Sequence, residues 1–329
     1  MTTRTVRAAL WTVRTAAGFF GQNLKRPRTW DDQGVKMGAV GANARVLLIF
    51  AALTALFVAI GWAVGSVFLG DWVTGAIVFL LIAGLMNFVS YFFSSKIVLM
   101  SYRAKPVTEA EAPRLYKIVR QVSQTAGMPM PQVAVVPSQT PNAFATGRNP
   151  KHATVAATEG LLRLLTDDEL TGVIAHEMAH VKDRDILVMS VAATLAGAIS
   201  FAARSFFWGS MFGGGGNRDN GTIIIAIVAA ITAPIAALLL QMAVSRSREY
   251  LADKEGAEMI GRPMALANAL RKLDGYNKQM PMKMGNPTSS SLWIVNPFRG
   301  GSLVTLFSTH PPMEERLRRL EEMAGRGRY

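Results

Sequence analysis

Cysteine is absent from this 329-residue chain. That excludes disulfides, thiolate metal ligands and a cysteine nucleophile, so any metal must be held by His, Asp or Glu. Histidine is scarce: four occur, at 152, 176, 180 and 310, so few residues can join a histidine site. Charge is missing from four long stretches. Val46 to Leu69, Val73 to Phe93 and Ile186 to Ala203 carry none, and Thr222 to Val244 has only Gln241 as a strongly polar residue, with Pro234 as a kink. Each run approaches or exceeds the ~20 apolar residues that cross a bilayer, which argues against core helices of a soluble domain. The amino terminus also lacks the unbroken apolar segment of about 7–15 residues that marks a cleavable signal. Arginine recurs there at Arg4, Arg7 and Arg14.

Positive charge is abundant, at a formal net +13. Its distribution decides what it means. Lys and Arg number eight in residues 1–45, eleven in 94–185 and fourteen in 245–329. The turn Gly70-Asp71-Trp72 has none, and the loop 204–221 has only Arg204 and Arg218. Cations gather on one side of the four runs, which the positive-inside rule makes the cytoplasm. No single basic stripe with interleaved aromatics stands out, so nucleic acid is not expected as a partner. The lipid bilayer is. Val6, Leu10, Val13, Ala17 and Phe20 recur at helical spacing, so the start of the chain is either a basic helix on the inner leaflet or a loose basic tail.

Between the second and third runs stands His176-Glu177-Met178-Ala179-His180. Residues four apart share a helix face, so both imidazoles can address one metal ion. An open zinc site lowers the pKa of a water to about 7. Glu177 projects beside that water as a candidate general base. Thr166-Asp167-Asp168-Glu169 reads as a capping box that starts the helix, with Thr166 at the cap. The helix is amphipathic and leads into the third apolar run, so it lies at the membrane surface and not within the bilayer. Leu273-Asp274-Gly275 lies in a polar stretch and reads as a turn.

A catalytic zinc needs a third protein ligand and an open fourth position. Two runs separate His180 from Arg246, so the chain returns to the same side at Ser247-Arg248-Glu249-Tyr250-Leu251-Ala252-Asp253. Glu249 is the best candidate ligand; the alternative is a surface helix of mixed charge. Asp253, one turn on, is placed to accept a hydrogen bond from a ligating imidazole.

The chain resembles the HtpX-like membrane metalloproteases, an HExxH gluzincin-type family related to the CAAX-prenyl endopeptidases. The resemblance rests on His176-Glu177-Met178-Ala179-His180 with Asp185, on Glu249 with Asp253, on Asn142-Ala143-Phe144-Ala145, and on Thr309-His310-Pro311-Pro312 with Arg316. It covers roughly residues 46–322. It implies one Zn2+ held by His176, His180 and Glu249, with Glu177 as general base. It implies that Asp253 orients a histidine and that Asp185 supports the site at the membrane boundary. Asn142, Ala143, Phe144 and Ala145 would form the edge strand that pairs with an extended substrate. His310 would donate to the oxyanion, or else merely start a helix before Pro311-Pro312. Arg316 would assist at the oxyanion, pair with Glu177 or Glu249, or sit at the surface beside Arg318 and Arg319. The chain departs from the family in its long lead of about 45 residues and its outer loop Gly213-Gly214-Gly215-Gly216.

The expected fold is an α-helical polytopic membrane protein with four transmembrane helices (2 + 2) and a cytosolic α+β zincin-type metalloprotease domain. The expected parts are a basic cytosolic tail (1–45), a transmembrane hairpin (46–93), the first part of the protease domain (94–185), a second transmembrane pair (186–244) and the second part (245–329). A helix is expected near 111–126, strands at Gln132–Val136 and Ala153–Ala157, and a final helix over Glu314–Met323. Residues 276–301 read as a long loop, a candidate lid. The family implies cleavage of misfolded or damaged membrane proteins and their cytosolic segments at the cell membrane, alone, as a homo-oligomer or beside other quality-control proteases. Two other readings stand at this point: a scaffold with a closed structural metal site, and a specific prenyl-peptide protease.

Overall fold

The computed structural model describes residues 32–66, 70–212, 246–279, 292–296 and 311–326, of which 32–40 and 200–212 as backbone only. The basic start of the chain, the fourth apolar run, the glycine-rich outer loop, most of 276–301 and His310 lie outside the described residues.

A hairpin of two long apolar helices comes first, α1 (Asp32–Val64) and α2 (Trp72–Ser101). Among the described residues, Gly41–Val64 and Trp72–Ser101 are the helices long and apolar enough to cross a membrane. Asp71 caps α2 by accepting the N–H of Val73 at 3.0 Å. The helices meet closely at Gly75, where a Cβ would stand 2.2 Å from Gly61 O. One face of the hairpin is turned outward, with Leu47, Leu48, Leu81 and Leu85 all more than 60% exposed. Both helices exceed the charge-free runs. α1 starts at Asp32, and α2 runs past Phe93 because Ser94 and Val98 in its last turns are buried against the body of the protein.

A four-stranded sheet follows, built from β1 (Lys105–Pro106), β2 (Gln132–Val136), β3 (Ala143–Gly147) and β4 (Ala153–Thr158) in the order β1-β2-β4-β3. β2 and β4 are parallel, and β3 runs antiparallel to β4 with Phe144 opposite Ala156. Side chains alternate across a strand, and here the alternation divides two cores. Ala134, Val136, Phe144 and Ala156 join the core shared with α1 and the third apolar helix. Val133, Ala143, Ala145, Val155 and Ala157 face the core that holds the metal motif. The sheet is thus a partition between the long apolar helices and the layer that carries the His176–His180 motif.

That layer comprises α3 (Pro113–Thr125), the short α4 (Glu159–Leu164), α5 (Asp167–Lys182), α7 (Arg246–Ile260), α8 (Pro263–Gln279) and α9 (Met313–Gly325). The third apolar helix is α6 (Asp185–Phe212), buried along its described side chains from Asp185 to Ala193. The capping box of α5 is complete: Glu169 N–H donates to Thr166 Oγ1 at 3.3 Å and Thr166 N–H to Glu169 Oε2 at 2.9 Å. Leu273-Asp274-Gly275 is not a turn. It lies inside α8, whose Leu266, Leu270 and Leu273 fall on one buried face, a helical period that outweighs the polar neighbours.

Candidate metal centre

α5 carries His176, Glu177 and His180, and every one of its residues from Glu169 to Val181 is buried. α7 packs across it. Gly256 permits this, since a Cβ there would stand 2.8 Å from His176 N. The crossing brings Glu249 to the histidine face. Glu249 Oε2 is 3.8 Å from His176 Nε2, and Glu249 Oε1 is 3.4 Å from His180 Nε2. These three residues each offer a ligand atom, and the atoms lie within 4.8 Å of one another. The two imidazole rings stand nearly perpendicular, at 87°.

Behind each imidazole lies an aspartate. Asp253 Oδ1 is 2.9 Å from His176 Nδ1, and Asp185 Oδ2 is 3.4 Å from His180 Nδ1. Carboxylates in this position fix the tautomer and direct Nε2 forward. Arg316 grips Asp253 with two bonds, Nε to Oδ2 at 2.8 Å and Nη2 to Oδ1 at 2.7 Å. Its third contact, from Nη1, goes to Ile294 O at 2.8 Å. Arg316 is 1% exposed, which removes the surface reading, and it stands 4.0 Å from Glu249.

The electrostatics fit a cation. Glu177, Glu249, Asp253 and Asp185 are all buried; among the described residues Arg316 is the buried arginine beside them, and the partly exposed Arg45 and Arg248 reach Asp185. Buried carboxylates are tolerated when they are paired or ligate a metal, and a cation between the two imidazoles and Glu249 would be stabilised by this cluster. Burial pushes the Glu177 carboxyl up to about 7, and the Glu249 charge adds to that. Burial alone would push His180 down, but the Asp185 and Glu249 carboxylates outweigh it and hold the imidazole well above its usual value. His176 moves the other way, lowered first by burial. Two imidazole nitrogens and one carboxylate oxygen form a donor set suited to a divalent metal with an open position.

β3 borders this centre. It is an edge of the sheet, and the Ala145 backbone beside the Glu177 carboxyl favours its charged form, against the upward push of burial. Ala143 O accepts Ile294 N–H at 3.2 Å. Asn142 is an anchor here: its Nδ2 donates to Val295 O at 2.5 Å and its N–H to Thr158 Oγ1 at 2.9 Å. Phe144 turns away, into an aromatic cluster with Tyr102 and Trp293. The sequence reading missed this contact of residues 292–296 with β3, and the two arginines on Asp185 described below. No local pattern marks either, because both are long-range contacts.

A buried two-histidine, one-glutamate cluster beside a sheet edge, below a membrane hairpin, defines a membrane-bound metalloendopeptidase. The profile of Peptidase family M48 matches residues 109–324, and the chain belongs to that family. It is 52% identical over 288 residues to a Protease HtpX homolog of Syntrophobacter fumaroxidans, covering 86% of this chain and all of the relative. Against a Protease HtpX homolog of Pyrococcus furiosus it is 51% identical over 286 residues, 87% of this chain and 97% of the relative. Among solved structures, a crystal structure of S. mikatae Ste24p aligns at 18% identity and TM-score 0.45, over 86% of this chain and 66% of that one.

Proposed function

We propose that the chain is a zinc endopeptidase of the cell's cytoplasmic membrane that cleaves misfolded or damaged membrane proteins and their cytosolic segments. The observation that carries this is the cluster itself: His176, His180 and Glu249 offer ligand atoms within 4.8 Å of one another, with the buried Glu177 carboxyl beside them. His176, His180 and Glu249 would hold the metal. Zinc bound there would lower the pKa of a water to about 7 and polarise the scissile carbonyl. Glu177 takes the proton of the attacking water and returns it to the leaving amine. Asp253 and Asp185 keep both Nε2 atoms aimed at the metal, and Arg316 steadies Asp253. His310 donates to the oxyanion. The substrate enters as an extended segment along the Asn142–Ala145 edge in place of residues 292–296, which now engage Asn142 and Ala143, and backbone pairing there tolerates varied sequences. That tolerance suits stress-linked quality control better than one processed peptide.

In this reading the chain spans the membrane four times. The hairpin 46–93 and the pair 186–244 cross the bilayer, the basic start 1–45 is cytosolic, and 94–185 with 245–329 form the cytosolic protease domain. The distribution of Lys and Arg supports it.

The test is cleavage by detergent-purified, zinc-loaded protein of three substrates side by side: a denatured polypeptide, the same polypeptide folded, and a prenylated peptide. Preferential cleavage of the denatured chain is expected. Cleavage of the prenylated peptide alone would replace quality control with a specific processing role. Orientation is read by single introduced cysteines, which the cysteine-free chain makes unambiguous. A cysteine replacing the exposed Gln124 should be shielded from an impermeant reagent added outside cells, and one replacing Asp71 should react.

A further inference from the structure

Asp185 belongs to three helices at once. It opens α6, and its Oδ2 stands behind His180 Nδ1 at 3.4 Å. From α7, Arg248 Nε lies 2.9 Å from both carboxylate oxygens, and its Nη2 is 2.6 Å from Oδ1. From α1, Arg45 Nη2 reaches Oδ1 at 3.2 Å, 140 residues away in sequence. Arg45 Nε meanwhile donates to Gly41 O at 3.3 Å, one turn back on α1, which fixes the guanidinium on its helix. Asp185 is 3% exposed, and the two arginines are roughly a quarter exposed, with side-chain values of 28% and 23%.

A lone buried carboxylate can rotate, and the imidazole it contacts rotates with it. Here Oδ1 is held by both arginines and Oδ2 by Arg248, and Arg248 is itself tied to Asp183 at 3.2 Å. The turn that delivers Asp185 is constrained as well. Arg184 has φ +59°, a left-handed conformation that a residue with a Cβ adopts at a cost.

We infer that Arg45, on α1 just before the run proposed to cross the membrane, is a positioning residue for the metal centre, acting through Asp185 on His180, with Arg248 as its partner from α7. The membrane hairpin is then part of the active-site scaffold and more than an anchor. This rests on the metal-binding role proposed for His180. The site opposite shows the contrast: His176 is backed by Asp253 and Arg316, all within the catalytic layer. Among the described residues, only the His180 side is braced by the first apolar helix.

The test uses the full-length protein in detergent with cobalt as a spectroscopic probe. Affinity is read by competition with a chelator, and ligand geometry by the visible absorption spectrum. Outer partners of ligating histidines typically contribute about 10–100-fold in affinity. Arg45 acts one contact further out, so Arg45→Ala should weaken cobalt binding by about 3–10-fold and shift the cobalt spectrum. Arg45→Lys should recover part of the loss. In an Asp185→Asn background, Arg45→Ala should add nothing, because the path is already cut. A purely structural role in seating α1 predicts instead an equal loss in both backgrounds with an unchanged spectrum, and that result overturns the inference. Unchanged affinity in Arg45→Ala overturns it too while leaving the metal reading intact. Failure of the parent protein to bind cobalt overturns both.

Discussion

The hairpin α1–α2 and the helix α5 are opposites in composition and in exposure. The hairpin is nearly all apolar, yet it turns Leu47, Leu48, Leu81 and Leu85 outward. α5 carries two histidines and a glutamate in its centre and hides all of them. In water the first would aggregate and the second would be wastefully desolvated. With a bilayer around the hairpin and a metal among the α5 side chains, both become favourable. Exposure in one region and burial in the other thus point to two partners that the polypeptide does not supply: lipid and a cation.

The largest way to break this contrast is to remove a buried cation. Arg316→Ala leaves Asp253 as an uncompensated buried carboxylate, which typically costs about 3–5 kcal/mol. Denaturant unfolding in detergent should show a loss of that size. Arg318→Ala, two residues further along the same helix and exposed in its pair with the partly buried Glu315, should change stability little. Equal effects would mean that the Asp253 bridge is not buried in solution.

A second comparison exchanges leucines. Leu170 is fully buried in α5, and truncating such a residue to Ala costs about 2–5 kcal/mol. Leu81, 69% exposed on α2, should tolerate Ala with far less loss, because detergent or lipid refills the space. Similar losses at both sites would place Leu81 against protein, most simply a second copy of this chain.

The third prediction concerns pH in the metal-stripped protein. Glu177 has its pKa raised from 4.5 to about 7 by burial. The folded state therefore favours the protonated acid, and stability should fall as pH rises from about 4.5 to about 7, then level off. The loss is on the order of 3 kcal/mol at most. Glu177→Gln should remove that part of the slope, so the variant is more stable than the parent at pH 8 and similar to it at pH 4.5. Parallel pH profiles would contradict a buried Glu177.

Much of this was legible in the chain, and the legible parts share a cause. The capping box at Thr166, the His176–His180 spacing, the strand at Gln132–Val136 and the apolar runs are local patterns, each set by a period or a fixed offset. Glu249 required reasoning about which side of the membrane the chain returns to, and the structure brings it to the histidines. Arg316 was legible as a residue but not as a contact, since its partner Asp253 lies 63 positions away. Arg45 was read only as a positive-inside charge, because nothing in its neighbours reveals that α1 crosses near Asp185. Leu273-Asp274-Gly275 was misread because polar, turn-like residues hid an apolar period that becomes visible only over the whole of α8. Contacts between elements that are distant in sequence depend on packing, and a single sequence does not print packing.

The central claim is that Glu177 is the base of a metal-dependent peptidase. Its most direct test is the Glu177→Gln variant, purified beside the parent, with metal content and cleavage of a denatured polypeptide determined on the same samples. The expected result is the same metal content in both, about one ion per chain, with turnover lower by roughly 10²–10⁴-fold in the variant. Cleavage at the parent rate by a metal-loaded Glu177→Gln protein would contradict it.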